Sequence, residues 1–459
     1  PETLERTVIP SLTAATGYTI VAVRSDGMRS GNYGTLVLPE GIRYLLSGAL
    51  RGYALTGVVL PESVVYIGSS IFSPYGIREL TIPAGVRYLI APFAGMRDLT
   101  SLTLYCRNID ILDYPSSGTP LNLTLAPGTR IGTLIGSSEY QVTTLIIPEG
   151  VESIEGFRDN PYLQKVVLPD SLTAIGDNAF SGCTALREVV VGRNLQVIGS
   201  DAFAFCSSLR SLRTVDDIED DVLTLPASLT EIGGYAFRLC TSLRKVRIDA
   251  EISVIPNGLF DYCDALESVQ LPDSVSVIGS TAFIHGAKLR LRLPAGLVSI
   301  GDHAFDGCTS LTDEDVVFGD SLEEIGECAF SNCTGLRNLI FPASLTRLSN
   351  RSPFDGCTLE TVIFRNPVTQ DVSLGVPLPK KIVYEGPILA RIQFASITEI
   401  HTTQLPEESP HFLHRISYPV TVYFAGTREV WDATRYDLTK DSVLICDYDF
   451  SSSSPAVSG

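Results

Sequence analysis

Histidine, methionine and tryptophan are scarce in this 459-residue chain, at five, two and one, and charged residues make up only 19%. Each scarcity excludes something. The five histidines, His285, His303, His401, His411 and His414, are too few and too scattered to define a catalytic triad. No Gly-x-Ser-x-Gly turn and no Walker-type loop is present. His411 and His414 could share a helix face, yet no carboxylate or cysteine completes a metal set at familiar spacing. No catalytic residue, no cofactor and no metal site is therefore expected. No stretch approaches the roughly 20 apolar residues that a membrane-crossing helix needs, so direct membrane insertion is not expected. No charged segment followed by an apolar one opens the chain as a leader would. A start at Pro1 fits a secreted or cell-surface protein whose leader has been removed, the expected localisation, although a trimmed cytosolic protein would look the same. Basic residues are in deficit too, with 34 Lys and Arg against 52 Asp and Glu, and the net charge of −18 opposes binding to nucleic acid or to an anionic membrane.

What is abundant is repetition. Cysteine follows phenylalanine by three residues in Phe180/Cys183, Phe203/Cys206, Phe237/Cys240, Phe260/Cys263, Phe305/Cys308, Phe330/Cys333 and Phe354/Cys357. From Phe180 through Phe283 to Phe354 the phenylalanines are 23, 34, 23, 23, 22, 25 and 24 residues apart. A fixed period in this range means a solenoid, in which each unit buries its apolar face against its neighbours. Hydrophobic residues, at 44%, supply a continuous core.

One unit reads Val166-Val167-Leu168-Pro169, then Leu172, Ile175-Gly176, Ala179-Phe180, Cys183, Leu186 and the next strand at Val189 to Val191. Proline ends the β-run because it cannot donate to a ladder, and Gly176 permits a tight or left-handed backbone. Ala-Phe before Cys is too short for a stable helix and predicts a single helical or 3-10 turn. The recurring slot accepts Asn160 after Phe157 and Gly286 after Phe283 as well as cysteine, so it is not obligatorily covalent. A small buried side chain serving backbone groups of the turn fits it better. Rungs about 4.8 Å apart are still within disulfide reach, and spacing alone does not exclude bridges.

This pattern resembles the BspA-type, or Treponema-like, leucine-rich repeat, with its Leu-Pro, Leu, Ile-Gly, Ala-Phe, Cys or Asn, and Leu. Ile232-Gly233, Ala236-Phe237, Cys240 and Leu243 reproduce it, as do Ile300-Gly301, Ala304-Phe305, Cys308 and Leu311. Weaker copies upstream place Tyr75 and Met96 in the cysteine slot. The expected fold is a leucine-rich repeat solenoid: a right-handed curved stack of short parallel β-strands forming a concave sheet, with short 3-10 or helical turns on the convex side, capped at both ends. Roughly fifteen coils at the rung spacing would make it about 70 Å long.

The expected organisation is an N-terminal cap over 1–33, degenerate repeats over 34–142 with an irregular stretch at 106–142, regular repeats over 143–366, and degenerate repeats with a C-terminal cap and flexible tail over 367–459. Within 106–142, Leu121 to Leu125 could still supply a strand. Strand-like runs are expected at Lys381 to Tyr384, Arg391 to Phe394, Val420 to Phe424 and Ser442 to Cys446. Val422 to Thr427 followed by Trp431 resembles the family's ending, with Trp431 sealing the last coil. The excess between Phe203 and Phe237 carries Asp216, Asp217, Glu219, Asp220 and Asp221 and is expected to bulge from one edge. It lacks the glycine and distal glutamate of an EF-hand, so it and Asp313-Glu314-Asp315 read as solvated loops.

Alternation along each strand sends Leu243, Val246 and Ile248 inward and Lys245 and Arg247 outward. The same phase exposes Lys165 and Val167, Glu188 and Val190, Ser268 and Gln270, Asn338 and Ile340, and Thr361 and Ile363. A one-residue deletion after Gly286 makes Arg290 and Arg292 the outward pair. Lys245, Arg247, Ser268, Gln270, Arg290 and Arg292 thus form the candidate ligand-binding face. Two readings stay open: cations that guard a sheet surface against stray strands, or a preformed binding surface. The resemblance implies a non-enzymatic secreted or surface protein, expected as a monomer. It would bind a protein or an anionic glycan, from host matrix or another bacterial surface. The alternative is a spacer presenting another domain at the envelope.

Overall fold

The computed structural model describes residues 6–8, 32–51, 54–72, 76–89, 93, 96–106, 108–109, 121–125, 130–131, 142–217, 219, 221–365, 374, 377, 379–385, 397–403, 419–433 and 442–447. The expected strand at Arg391 to Phe394, the tail, Tyr75, His411 and His414 lie outside them. The chain divides into two compact units, Pro1–Leu243 and Arg244–Gly459. Each is built of parallel-strand β-solenoid coils, and among the described residues there is one short helix, Arg428–Ala433.

A coil in the first unit shows how the sequence sets the path. Lys165–Val167 forms one strand, and Val166 pairs in parallel with Val189 of Glu188–Val191. After Leu168-Pro169 the chain turns to a two-residue strand, Ala174–Ile175, whose Ile175 pairs with Ile198 on the next coil. The Ala-Phe segment then makes a single turn, with Ala179 N donating to Gly176 O (3.2 Å) and Cys183 N to Phe180 O (3.1 Å). Phe180 N donates onward to Ala202 O at 2.8 Å, so adjacent coils are tied on every side.

Glycine after isoleucine has a different reason from the expected one. Gly176 does not have a positive φ; the left-handed residue is Asn178, at φ 56°. Close approach requires it in other coils, where a Cβ on Gly233 would lie 2.3 Å from the Ser200 backbone nitrogen; at Gly176 it would meet Glu155 Cβ at 3.2 Å.

The phenylalanines stack into columns. In the first unit Phe157, Phe180, Phe203 and Phe237 follow one another at 5.7, 5.4 and 5.4 Å between ring centroids. In the second, Phe260, Phe283, Phe305, Phe330 and Phe354 do so at 5.7, 5.3, 5.1 and 5.4 Å. Upstream, Phe72 stacks on Phe93 and buried Met96 occupies the cysteine slot.

All seven ladder cysteines are buried and free. Each of six donates its S–H to the carbonyl of the preceding coil's phenylalanine, as Cys183 does to Phe157 (3.1 Å), Cys206 to Phe180 (3.2 Å) and Cys357 to Phe330 (3.0 Å). Asn160 serves the same turn by accepting from Tyr162 N and Leu163 N. Burial pushes the Cys183 thiol up to about 12. At neutral pH, alkylation of the native chain should therefore label half-buried Cys328 and Cys446, and the seven only after unfolding. Mass spectrometry of the labelled peptides checks this, and rapid native labelling of Cys206 would contradict it.

Two irregular segments depart from expectation. The excess after Phe203 does not simply bulge: Leu223–Leu225 enters the sheet as a rung of its own, with Leu223 paired to Leu212. The small sheet on the other flank gains nothing, since Val197–Ile198 pairs directly with Glu231–Ile232. Nor is 313–315 a solvated loop. Asp315 is only 8% exposed, and Asp313 caps the next strand by accepting from Arg337 N and Asn338 N.

At the start, Arg6–Val8 pairs in parallel with Asn32–Val37. Leu121–Leu125 forms the strand expected of it. At the far end, Lys381–Tyr384, Thr421–Phe424 and Val443–Ile445 form where expected, and Glu399–Thr402 is an additional rung. Trp431 lies on the helix Arg428–Ala433, buried against Phe424. A further strand follows it, so it closes the coil before the last described rung.

Candidate functional site

All six residues of the candidate face belong to the second unit. Strand Lys245–Ile248 pairs with Ser268–Gln270 so that Lys245 stands beside Ser268 and Arg247 beside Gln270. Arg290 is joined to Ser268 by a single bridge. Beneath them Val246, Val269, Leu289 and Leu291 are buried, and Lys245, Ser268, Gln270, Arg290 and Arg292 are exposed, so the outward phase is as expected. The regular strand expected around Arg290 and Arg292 is not formed. Residues 311–317, on the following coil, fold as a turn in which Asp315 N and Val316 N both donate to Thr312 O, leaving only Leu293 N to Asp315 O (3.3 Å) as a rung contact.

That turn captures one of the cations. Arg290 Nε donates to Asp315 Oδ2 at 2.6 Å, and the same oxygen accepts from Thr312 N and Thr312 Oγ1. Arg247, half-buried, pairs with Asp249 at 3.2 Å. Lys245 and Arg292 have no carboxylate partner among the described residues. The face is thus two unpaired cations flanking the hydrogen-bonding groups of Ser268 and Gln270, with two further cations already engaged.

The corresponding face of the first unit is closed. Lys165 and Arg213 each reach Glu188 at 2.8 Å. Burial raises the Glu188 carboxyl, but the hydrogen bonds and charges of Lys165 and Arg213 outweigh it and hold it below its ordinary value. Val190, expected to be outward and open, is 6% exposed with Arg213 as its strand partner, and Ile363 in the second unit is likewise buried at 9%. Long cationic stems cover apolar surface while their heads stay wet.

Sequence reasoning placed the outward residues correctly because alternation is a local property. It missed Asp249, which the same alternation puts two residues along from Arg247, and it could not find Asp315, since that partner of Arg290 sits 25 residues away in a segment that abandons the strand.

The repeat pattern carries the assignment. Residues 28–124, 130–221, 221–312 and 298–371 match the BspA type leucine rich repeat region. The chain belongs to that family. Similar solved structures include a leucine-rich repeat protein from Bacteroides ovatus, 23% identical over 68% of this chain and 86% of that one, with a TM-score of 0.48. The pneumococcal vaccine antigen PcpA is 20% identical over 92% of this chain and 96% of its own, with a TM-score of 0.42. A leucine rich cell surface protein from Faecalibacterium prausnitzii is 25% identical over 65% and 92%, with a TM-score of 0.32. No curated protein matches the sequence. Among the described residues, no helix of this BspA-type chain is long and apolar enough to cross a membrane.

Proposed function

We propose that this BspA-type chain is a non-enzymatic binding protein that works outside the cell and takes an anionic partner on the strand face of its second unit. The observation that carries the reading is the contrast between faces. Among the described residues Lys245 and Arg292 stand without a carboxylate partner around Ser268 and Gln270, whereas both cations of the first unit's face, Lys165 and Arg213, are engaged by Glu188. Guarding a sheet needs only the closed arrangement. Unpaired cations on a chain of net charge −18 attract an anion locally, and the flanking hydroxyl and amide supply directional bonds once it arrives. The sheet is preformed, so little ordering cost opposes binding. A location outside the cell is what the family resemblance implies. Both an acidic glycan and an acidic protein segment present the required oxygens.

The test uses heparin and polyglutamate as separate probes of the full chain. Lys245→Glu with Arg292→Glu should weaken binding about tenfold at low salt and flatten its salt dependence. Which probe binds tells glycan from protein. Equal affinity of the double variant and its parent, or no binding of either probe by the parent, refutes the site.

A further inference from the structure

A second site comes from the turns rather than the strands. Among the described residues, two positions after each Ile-Gly the backbone passes through the left-handed region, at Ser70, Asn178, Asp201, Tyr235, Thr281, His303 and Cys328. The slot recurs in these coils and is therefore a property of the repeat. In two successive coils it carries His303, at φ 54°, and Cys328, at φ 51°. His303 N donates to Glu327 O at 2.7 Å, which fixes the two turns one rung apart. One donor atom from each of His303, Glu327 and Cys328 lies within 4.8 Å of the other two, and all three side chains are half-buried.

The surroundings suit a bound cation. His303 Nδ1 is 3.1 Å from Asp306 Oδ2, and Asn332 Nδ2 donates to Asp306 Oδ1 at 3.0 Å, which holds that carboxylate in place. In the neutral imidazole an Nδ1–H donating to Asp306 leaves the lone pair on Nε2, the carboxylate-histidine arrangement that supports metal ligation. An open groove of about 540 Å³, lined by Asp302, Gly326, Glu327, Ser349, Asn350 and Arg351, adjoins the cluster and gives an ion and its water a way in. Arg351 is the competitor, pairing with Glu327 at 3.0 Å while its carbonyl accepts the Cys328 S–H.

We propose that His303, Glu327 and Cys328 bind one divalent ion of the zinc class, with Asp306 as a positioning residue and the fourth coordination position open to the groove. Nitrogen, carboxylate and sulfur together select a borderline-soft ion over calcium or magnesium, which take oxygen. Tetrahedral ligands at zinc bond lengths stand about 3.5 Å apart, so the side chains close by about 1 Å through rotation at their exposed ends. Binding converts the Cys328 thiol to a metal thiolate and releases its proton to solvent.

Cobalt(II), then zinc, is titrated into the reduced full chain. One equivalent of cobalt should bring up a thiolate-to-metal absorption band, with uptake of one proton-equivalent of base, and zinc should abolish the band. Cys328→Ser should remove the band. His303→Ala should weaken binding at least about tenfold and Asp306→Asn by less, while Arg351→Ala, by releasing Glu327, should tighten it. All four changes lie on surface turns, and circular dichroism reports whether the coils remain. Absence of the band in the parent overturns the proposal. So does its persistence in Cys328→Ser, which would move the ligand to another cysteine.

Discussion

Phe305→Ala should cost about 3 to 5 kcal/mol of stability, among the largest effects of any single substitution in this chain. The Phe305 ring is wholly buried, 5.3 Å from Phe283 and 5.1 Å from Phe330, nearly parallel to both. Alanine leaves a ring-sized cavity between two coils whose hydrogen bonds hold them apart at a fixed spacing, so the neighbours cannot collapse into it. In a solenoid, stability is a sum of unit and nearest-neighbour terms. Weakening one junction by this amount should also split a single urea transition into two, read by circular dichroism and tryptophan fluorescence together. Phe305→Leu, which keeps most of the volume, should cost less than about 1.5 kcal/mol. Equal losses for both variants would mean that the stack is not what holds the coils together.

Alkaline pH should unfold the chain through its cysteines. Burial raises the thiols of Cys183 and Cys357 from 9.0 to about 12, and that of Cys106 to about 11. Cys206, Cys308 and Cys333 are displaced in the same direction by the same cause. A thiol raised in the folded chain favours folding while it stays protonated. The sign is therefore fixed: this contribution is complete below pH 9, where the unfolded thiol is still protonated, and is lost as pH rises from there towards 12. Each such cysteine steepens the fall by about 1.4 kcal/mol per pH unit. Buried Tyr384, also pushed upward, adds to the loss at the top of this window. Urea titrations at successive pH values should show a shallower slope for Cys183→Ala with Cys357→Ala than for the parent. An unchanged slope would place the alkaline transition elsewhere.

The repeat was legible because its signals are local. Leu-Pro, Ile-Gly and Ala-Phe each mark one corner of a coil, and the period multiplies the signal until a single register fits. The cysteine slot could be read as a hydrogen-bonding position because asparagine substitutes in it, and the structure gives the acceptor, the preceding coil's phenylalanine carbonyl. The segments that failed are those where the sequence stops repeating. Residues 311–317 have the apolar ends of a strand but fold around the Asp315 carboxylate, which accepts from Thr312 and also from Arg290, 25 residues away. His303 and Cys328 were invisible as a pair for a related reason. Their equivalence lies in a turn position that the consensus leaves free, and only aligning coils on their Ile-Gly steps puts them side by side.

The Leu223–Leu225 rung shows that the two flanks of a coil keep separate counts. One flank of the first unit advances by two strands while the other advances by one, and the ring column between Phe203 and Phe237 keeps its ordinary spacing of 5.4 Å. Width on the strand side can therefore change by a whole step without any new aromatic in the core. For evolution this uncouples the breadth of the outward face from the number of copies of the unit. A short duplication of strand and loop suffices to widen it, and the cysteines and phenylalanines on either side need not move.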